Sequence, residues 1–241
     1  YTSPAGAAAH PWHGPDTHAR AFPGYDRSGE EAGGAELQIR RRLARMIHAR
    51  GLGRRFGDKR ALAGVDVDVG AGELLLVTGP NGSGKTTLLR LLAGLIVPTA
   101  GELDVAVDRA RIGFLGHEPL LYRELTPLEN LDLYGRLYRV PERREQIGML
   151  LERFGLWDAR REQTGALSRG MLQRLALCRA LLHEPDLLLL DEPFSALDAS
   201  GTELLLDELG RQPAARTVVV ASHLPERLGA QPTGRLALGP A

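Results

Sequence analysis

One glycine-rich segment, residues 79–86, constrains the fold of this 241-residue chain more than any other feature. It reads Gly-Pro-Asn-Gly-Ser-Gly-Lys-Thr and lies between a strand-like apolar run at residues 74–77 and a helix-like segment at residues 87–93. Glycines let successive backbone N–H groups turn inward, and a helix start adds a positive end, so such a loop can surround phosphate groups. The order strand, glycine loop and helix therefore predicts a nucleotide-phosphate site.

The side chains of this loop suit the same chemistry. Lys85 is one of only two lysines in the chain, and a compact charge on a flexible stem suits the outer phosphates. Thr86 offers a hydroxyl to Mg²⁺ and is a predicted metal ligand. The predicted nucleotide-binding residues of the segment are Gly79, Pro80, Asn81, Gly82, Ser83, Gly84, Lys85, Thr86 and Thr87.

A second motif places two carboxylates after a buried strand. Residues 187–190 are four leucines, and Asp191 and Glu192 follow them directly. Ligands of open α/β sheets bind at the carboxyl ends of the strands. We therefore expect Asp191 to hold Mg²⁺ and Glu192 to orient or deprotonate the attacking water, since phosphoryl transfer depends mainly on positioning and charge stabilisation.

Strand-like and helix-like segments alternate from Met46 onward, which predicts an α/β fold. Near-continuous apolar runs are typical of parallel strands that helices cover on both faces. A polar, leucine-rich region interrupts this alternation and predicts a helical insertion, a subdomain of about residues 119–182. The strand-like runs are residues 47–49, 65–69, 74–77, 112–115, 187–190, 217–221 and 235–238.

Composition excludes several classes of protein. Thirty basic and thirty acidic residues cancel, so no global positive field favours a nucleic-acid partner. The single cysteine, Cys178, excludes a disulfide framework and fits a reducing compartment. No apolar run reaches the roughly 18 to 20 residues that span a bilayer. We therefore expect contact with a membrane only through partner subunits.

The first 45 residues differ in character from the rest of the chain. Residues 1 to about 36 are rich in Ala, Gly, Pro and His and have no strand or helix period, which predicts disorder. The first methionine, Met46, comes immediately before the first strand-like run. We hypothesise that Met46 is the biological start, that residues 1–45 are a non-native extension, and that residues 46–241 form one domain.

Further motifs, taken in order, resemble the ABC ATPase family over essentially all of residues 46–241. Leu-Ser-Arg-Gly-Met at residues 167–171 opens a helix-like stretch, and the carboxylate strand, Ser-Ala-Leu-Asp at residues 195–198 and Ser-His at residues 222–223 follow. The resemblance implies a P-loop NTPase fold, an ABC-type nucleotide-binding domain. Its expected parts are a mostly parallel core sheet, an antiparallel N-terminal β part and the helical insertion.

The same resemblance implies that ATP lies between two cassettes, here a homodimer. Ser168 and Gly170 of each copy would close on the γ-phosphate that the other holds, and the free N–H groups of a helix start there suit an anion. Phe56 would stack on adenine, although the residue is equally typical of a core. Asp198 would join the two sites, and His223 would contact the γ-phosphate.

Two departures from the family pattern affect the expected site. Arg169 and Met171 stand where a small residue and an amide are usual, so we expect a slower second half-site. His117 stands where a glutamine normally joins Mg²⁺ to the helical insertion, and we count it among the catalytic residues because imidazole can bond a water or phosphate.

The sequence segments around His117 narrow the resemblance to one subfamily. Gly-His-Glu-Pro-Leu-Leu-Tyr at residues 116–122 and Glu-Leu-Thr-Pro-Leu-Glu-Asn-Leu at residues 124–131 look like the ATP-binding subunit of the haem exporter of cytochrome c biogenesis. The resemblance implies an ATP-hydrolysing subunit, peripheral at the cytoplasmic face of the cell membrane and bound to membrane subunits.

Three alternative functions remain beside haem export. One is the ATP-binding subunit of another bacterial exporter, for a drug or small molecule. A second is a soluble ABC ATPase acting on ribosomes, DNA or metal clusters, but the paired cassettes or long coiled coils usual there are not in these 241 residues. A third is a sensor that binds nucleotide without turnover, which the intact Asp191 and Glu192 disfavour.

Overall fold

A computed structural model describes residues 45–211, 216–228 and 232–239 of the chain. The chain divides into two units, Tyr1–Arg40 and Arg41–Ala241. The first unit lies outside the described residues, and so does the predicted disorder of residues 1 to about 36. The first strand of the described residues begins at Arg45, one residue before the expected domain boundary at Met46.

An antiparallel sheet of three strands opens the second unit. A tight turn with Gly57 at φ 57° joins the first two strands, which pair from Arg45 opposite Gly70 to Phe56 opposite Lys59. This sheet is the antiparallel N-terminal β part that the family resemblance implied. Its strands, in the spatial order β2-β1-β4, are β1 (Arg45–Phe56), β2 (Lys59–Gly70) and β4 (Ala100–Val105).

A parallel sheet of five strands forms the centre of the unit. Every neighbouring pair in it runs parallel, which confirms the predicted parallel core. The carboxyl ends of β3 and β6 therefore lie at one edge, where the glycine loop and the acidic pair follow them. The strands, in spatial order, are β5 (Ile112–Leu115), β6 (Leu187–Asp191), β7 (Thr217–Ala221), β3 (Leu74–Thr78) and β8 (Gly234–Ala237).

Five α-helices cover the sheets in the described part of the chain. Local chemistry marks the start of α2 clearly: Thr126 accepts a hydrogen bond from the Glu129 N–H, the Glu129 carboxylate returns the bond, and Pro127 occupies the first turn. Three of the helices lie within the predicted helical insertion. The helices are α1 (Lys85–Leu92), α2 (Pro127–Leu137), α3 (Arg143–Arg153), α4 (Arg169–Leu181) and α5 (Ala199–Gly210).

The four leucines of β6 show why its sequence is apolar without alternation. Leu187 and Leu189 belong to one core cluster, with α1 and the antiparallel sheet. Leu188 and Leu190 belong to a second cluster, with α3, α4 and α5. Successive strand residues point to opposite faces, so a strand covered on both faces must be apolar at every position.

An ion triad with a buried carboxylate joins the helical region to the core. The Glu208 carboxylate on α5 is 5% exposed and accepts hydrogen bonds of 3.0 Å from Arg216, just before β7, and from Arg153 at the end of α3. No helix in the described residues has the length and apolar character that crossing a bilayer requires.

Candidate nucleotide-binding site

The glycine loop connects β3 to α1 and has a backbone that side chains would obstruct. Gly84 has φ 94° and caps α1, and a Cβ there would collide with the main-chain oxygen of Ala61 on β2. Gly79 has φ 152°, and a Cβ there would lie 2.6 Å from the main-chain oxygen of Leu238. Within the described residues no side chain caps the first N–H groups of α1, which suits them to bind an anion.

Lys85 points back over this loop. Its side chain is 7% exposed, and Nζ donates hydrogen bonds to the main-chain oxygens of Gly79 at 2.8 Å and Pro80 at 3.2 Å. The same nitrogen lies 3.9 Å from Glu192 Oε1. The ammonium group is therefore held between the loop and the acidic pair, with carbonyl oxygens that phosphate oxygens can replace.

Asp191, the last residue of β6, is 2% exposed, and neither carboxylate oxygen has a hydrogen-bond partner of good geometry among the described residues. Burial raises the pKa of Asp191, and the nearby Thr86 hydroxyl offsets part of that rise. A buried anion without donors is relieved by a cation, and the oxygen atoms of Asp191 and Thr86 are the ligand type that Mg²⁺ prefers. The residues present therefore fit this metal.

Glu192 has a strained backbone and an oriented side chain. Its φ is 49°, which side-chain-bearing residues seldom adopt, and its N–H donates to the Ala221 oxygen at 2.9 Å. The carboxylate Oε2 lies 2.7 Å from His223 Nδ1 and accepts a bond of 3.3 Å from the His223 N–H. Strain of this kind clusters at functional sites, and here it turns the carboxylate away from the strand toward Lys85.

These groups line one open cavity of about 440 Å³. It brings together most of the residues predicted from the glycine loop, the acidic pair and both histidines. Lys59 and Ala61 of β2, and Ser195 after the acidic pair, line it as well and were not predicted. The predicted residues that line it are Asn81, Gly82, Gly84, Lys85, Thr86, Thr87, His117, Asp191, Glu192 and His223.

Comparison with known proteins agrees with this geometry. A sequence family described as ABC transporter matches residues 62–195, more than half of the chain. The chain belongs to this family.

Curated relatives in the ABC transporter family are ATP-binding proteins. A daunorubicin resistance ATP-binding protein of Streptomyces coeruleorubidus is 38% identical, over 77% of this chain and 65% of the relative. The ABC transporter ATP-binding protein NatA of Bacillus subtilis is 36% identical, over 77% of this chain and 82% of the relative. The chain thus spans slightly less than two thirds of the length of the daunorubicin resistance protein and 82% of the length of NatA.

Solved structures of ABC cassettes share the fold. The structure of an ATP-binding subunit of an ABC transporter superposes with a TM-score of 0.74 at 26% identity, over 80% of this chain and 85% of that one. A dimeric cassette in a post-hydrolysis state, bound to ADP and phosphate, superposes with a TM-score of 0.66 at 30% identity, over 76% of this chain and 90% of that one.

Three residues expected from the ABC family lie outside the cavity lining. Ser168 caps α4 and accepts a hydrogen bond from the Met171 N–H at 3.2 Å. Asp198 caps α5. A Cβ on Gly170 would lie 3.2 Å from the main-chain oxygen of Ala196, so the start of α4 and the segment before α5 are neighbours. Ser168 and Asp198 are exposed and available to another molecule.

The remaining predicted residues support the loop or lie beside it. Gly79 and Pro80 lie in the loop and accept hydrogen bonds from Lys85, and Ser83 is buried beneath it. Phe56, at the end of β1, is 46% exposed and does not line the cavity. The Arg54 guanidinium lies 4.6 Å from the centre of its ring and covers one face.

Proposed function

We propose that this chain is the ATP-hydrolysing subunit of an ABC membrane transporter. The observation that carries the proposal is the convergence of Lys85, Asp191 and Glu192 on one cavity, with Glu192 fixed by His223. A phosphate-binding protein without turnover needs the loop and the lysine. It does not need a strained, oriented carboxylate beside them.

Each group has a defined task in hydrolysis. The free N–H groups of the loop and Lys85 bind the outer phosphates of ATP, and Thr86 and Asp191 hold Mg²⁺. The metal, when bound, neutralises charge on the phosphate oxygens. Glu192 orients the attacking water and accepts its proton, while His223 positions the Glu192 carboxylate. His117, at the same sheet edge, bonds a water or phosphate oxygen.

The site is proposed to be completed by a second copy of the chain. Ser168 and Gly170 of the partner copy would close on the γ-phosphate, and Asp198 would contact the opposite site. Ser168 and Asp198, which cap α4 and α5, are both exposed. One of the structural relatives is a dimer. Phe56 would meet adenine with the ring face that Arg54 leaves uncovered.

Membrane subunits are the further partners we propose, with this chain peripheral at the cytoplasmic face of the membrane. The helical subdomain, about residues 119–182 of a domain at residues 46–241, would receive them. Leu120 and Tyr122 near its start are each 51% exposed, which favours an apolar contact there.

Haem destined for cytochrome c maturation is the substrate we propose. The support is the sequence at residues 116–131, where His117 replaces the usual glutamine and lies at the nucleotide cavity. Export of a drug or other small molecule is the second candidate. It is favoured by the 38% identity to the daunorubicin resistance protein.

A co-purification from native membranes distinguishes these functions. Tagged Glu192→Gln protein would be isolated with ATP, and Lys85→Ala protein, expected not to hold ATP, serves as the control. Membrane subunits with bound haem, seen by its absorption band, support haem export. Membrane subunits without any haem-handling protein support the second candidate. Recovery of soluble partners alone would contradict the transporter function.

A further inference from the structure

A second cavity lies at the sheet edge opposite the glycine loop. Its volume is about 550 Å³, within the range of small-molecule sites, roughly 300 to 1,000 Å³. The connection from α2 to α3 and the connection from α4 to β6 form its sides. Because β5 and β6 run parallel and both start beside it, the cavity lies at their amino ends, away from Asp191 at the carboxyl end of β6.

Aromatic and apolar side chains form much of the wall. Tyr138 is 37% exposed and Met149 is 45% exposed, a large apolar area for surface residues. Val140, Pro141 and Leu182 extend the same surface. Exposed aromatic and thioether groups around a concave surface favour a flat, apolar ligand.

His183 supports this wall by packing against Tyr138. The residue is 9% exposed, its ring centre lies 4.3 Å from that of Tyr138, and Nε2 lies 3.2 Å from the main-chain oxygen of Ile112. Burial lowers the pKa of His183, so the ring is neutral near pH 7. Nε2 must then carry the proton that the carbonyl accepts, which leaves Nδ1 as an acceptor. Nδ1 has no hydrogen-bond partner among the described residues, but it is fully buried and does not reach the cavity surface.

Carboxylates dominate the charge at the rim. Glu142, Glu145 and Glu184 line the cavity, and in the described part of the chain none of them pairs with a basic side chain within 4.0 Å. Arg111 also lines it, but Asp186 binds its guanidinium through two hydrogen bonds of 2.9 and 2.7 Å. Arg139 also lines the cavity, so three carboxylates face one further guanidinium and the rim keeps an excess of negative charge.

The same rim contains unusual backbone strain. Arg139, Glu142 and Glu184 have φ of 55°, 48° and 50°, and they are three of the five non-glycine residues with positive φ in the described chain. Glycine would relieve each position, yet each has a charged side chain at the cavity. Strain of this kind concentrates where side-chain placement serves a ligand.

We propose that this cavity binds a planar organic cation. The flat ring system lies against Tyr138 and Met149, and the positive charge is balanced by Glu142 and Glu145. The proposal does not depend on the transported substrate, and the nucleotide cavity at the other sheet edge is separate from it.

Ethidium, a fluorescent planar cation with amino groups, is a direct probe. The whole chain would be titrated with ethidium in saturating Mg-ATP, so that the nucleotide cavity is filled, and followed by fluorescence enhancement. We expect saturable binding of one ethidium per chain. The anionic dye 1-anilinonaphthalene-8-sulfonate, at equal concentration, should not displace it. Absence of saturable ethidium binding would overturn the proposal. Displacement of bound ethidium by the anionic dye would overturn it as well.

Matched variants locate the site. Glu142→Gln combined with Glu145→Gln should weaken ethidium binding about tenfold, because it removes two carboxylate charges from the rim. Glu152→Gln changes an exposed carboxylate on the same helix, outside the cavity, and should leave affinity within twofold. Met149→Lys should abolish binding and Met149→Leu should preserve it. Equal affinity in Met149→Lys and the unaltered protein would contradict the assignment.

Discussion

His223 Nδ1 lies 2.7 Å from Glu192 Oε2, which joins the segment after β7 to the carboxylate after β6. The His223 N–H adds a second bond of 3.3 Å to the same oxygen, while the other carboxylate oxygen lies 3.9 Å from Lys85 Nζ. Neighbouring parallel strands end at one edge, so loops distant in sequence can fix one side chain from two directions. The result is a carboxylate with a defined direction at the phosphate end of the cavity.

His223→Ala should reduce turnover without removing nucleotide binding. The Glu192 carboxylate would lose its side-chain partner, and a misplacement of about 1 Å lowers a rate by on the order of 100-fold. We expect kcat for ATP to fall by that order, with KM changed by less than about threefold. Steady-state phosphate release measures both, with His48→Ala, a histidine paired with Asp68 on the antiparallel sheet, as the control. A raised KM with unchanged kcat would show that His223 only binds phosphate.

Lys85→Ala should act first on affinity. The ammonium group makes charge-assisted bonds to phosphate oxygens, and loss of one such group weakens binding by about 10- to 100-fold. Isothermal titration with ATP measures the loss. Lys59→Ala is the matched control, because Lys59 lines the same cavity but is exposed, on the β2 side. Equal effects of the two substitutions would contradict the role of Lys85.

Gly84→Ala and Gly82→Ala separate backbone strain from steric collision. Both glycines have positive φ, but a Cβ on Gly82 meets open space, whereas one on Gly84 collides with the main chain at Ala61. We expect Gly82→Ala to lower the free energy of unfolding by about 1–2 kcal/mol. Gly84→Ala should lower the free energy of unfolding by about 1–3 kcal/mol more, because the main chain at Ala61 cannot move aside as a flexible side chain can. Urea denaturation of the two variants gives the comparison, and equal losses would show that the collision is relieved.

The sequence predicted the parts of the site that come directly after strands. The glycine loop follows β3 and the acidic pair follows β6. A parallel sheet places both at one edge, independent of the structure of the residues between them. The apolar run at residues 187–190 identified its strand because both faces of β6 are covered. These features depend on local sequence and one general rule of topology.

Other features depend on distant contacts and were not predicted. β4 has exposed or half-buried residues throughout and pairs only with β1, so its sequence lacks an apolar pattern. Lys59 and Ala61 reach the nucleotide cavity only because the β1–β2 hairpin folds against the glycine loop. The caps made by Ser168 and Asp198 were not predicted, because a serine or an aspartate before a helix can serve either as a cap or as a ligand.

Glu208→Ala should destabilise the fold far more than Arg153→Ala. Removing the buried carboxylate leaves Arg216, which is 9% exposed, without its partner, and loss of one member of a buried ion pair costs about 3–5 kcal/mol. The Arg153 side chain is 38% exposed, so its loss should cost about 1 kcal/mol or less. Free energies of unfolding from urea titrations test the order, and a larger effect of Arg153→Ala would contradict it.

Glu192→Gln tests ATP hydrolysis by this site most directly. The amide keeps the size of the side chain, the contact of Lys85 with ATP and that of Asp191 with Mg²⁺, but it cannot accept a proton from water. Phosphate release should fall at least about 100-fold. Size-exclusion chromatography of the same protein should show a dimer that forms with ATP and disperses without it. Turnover equal to that of the unaltered chain would contradict the assignment of Glu192 and the proposed mechanism with it.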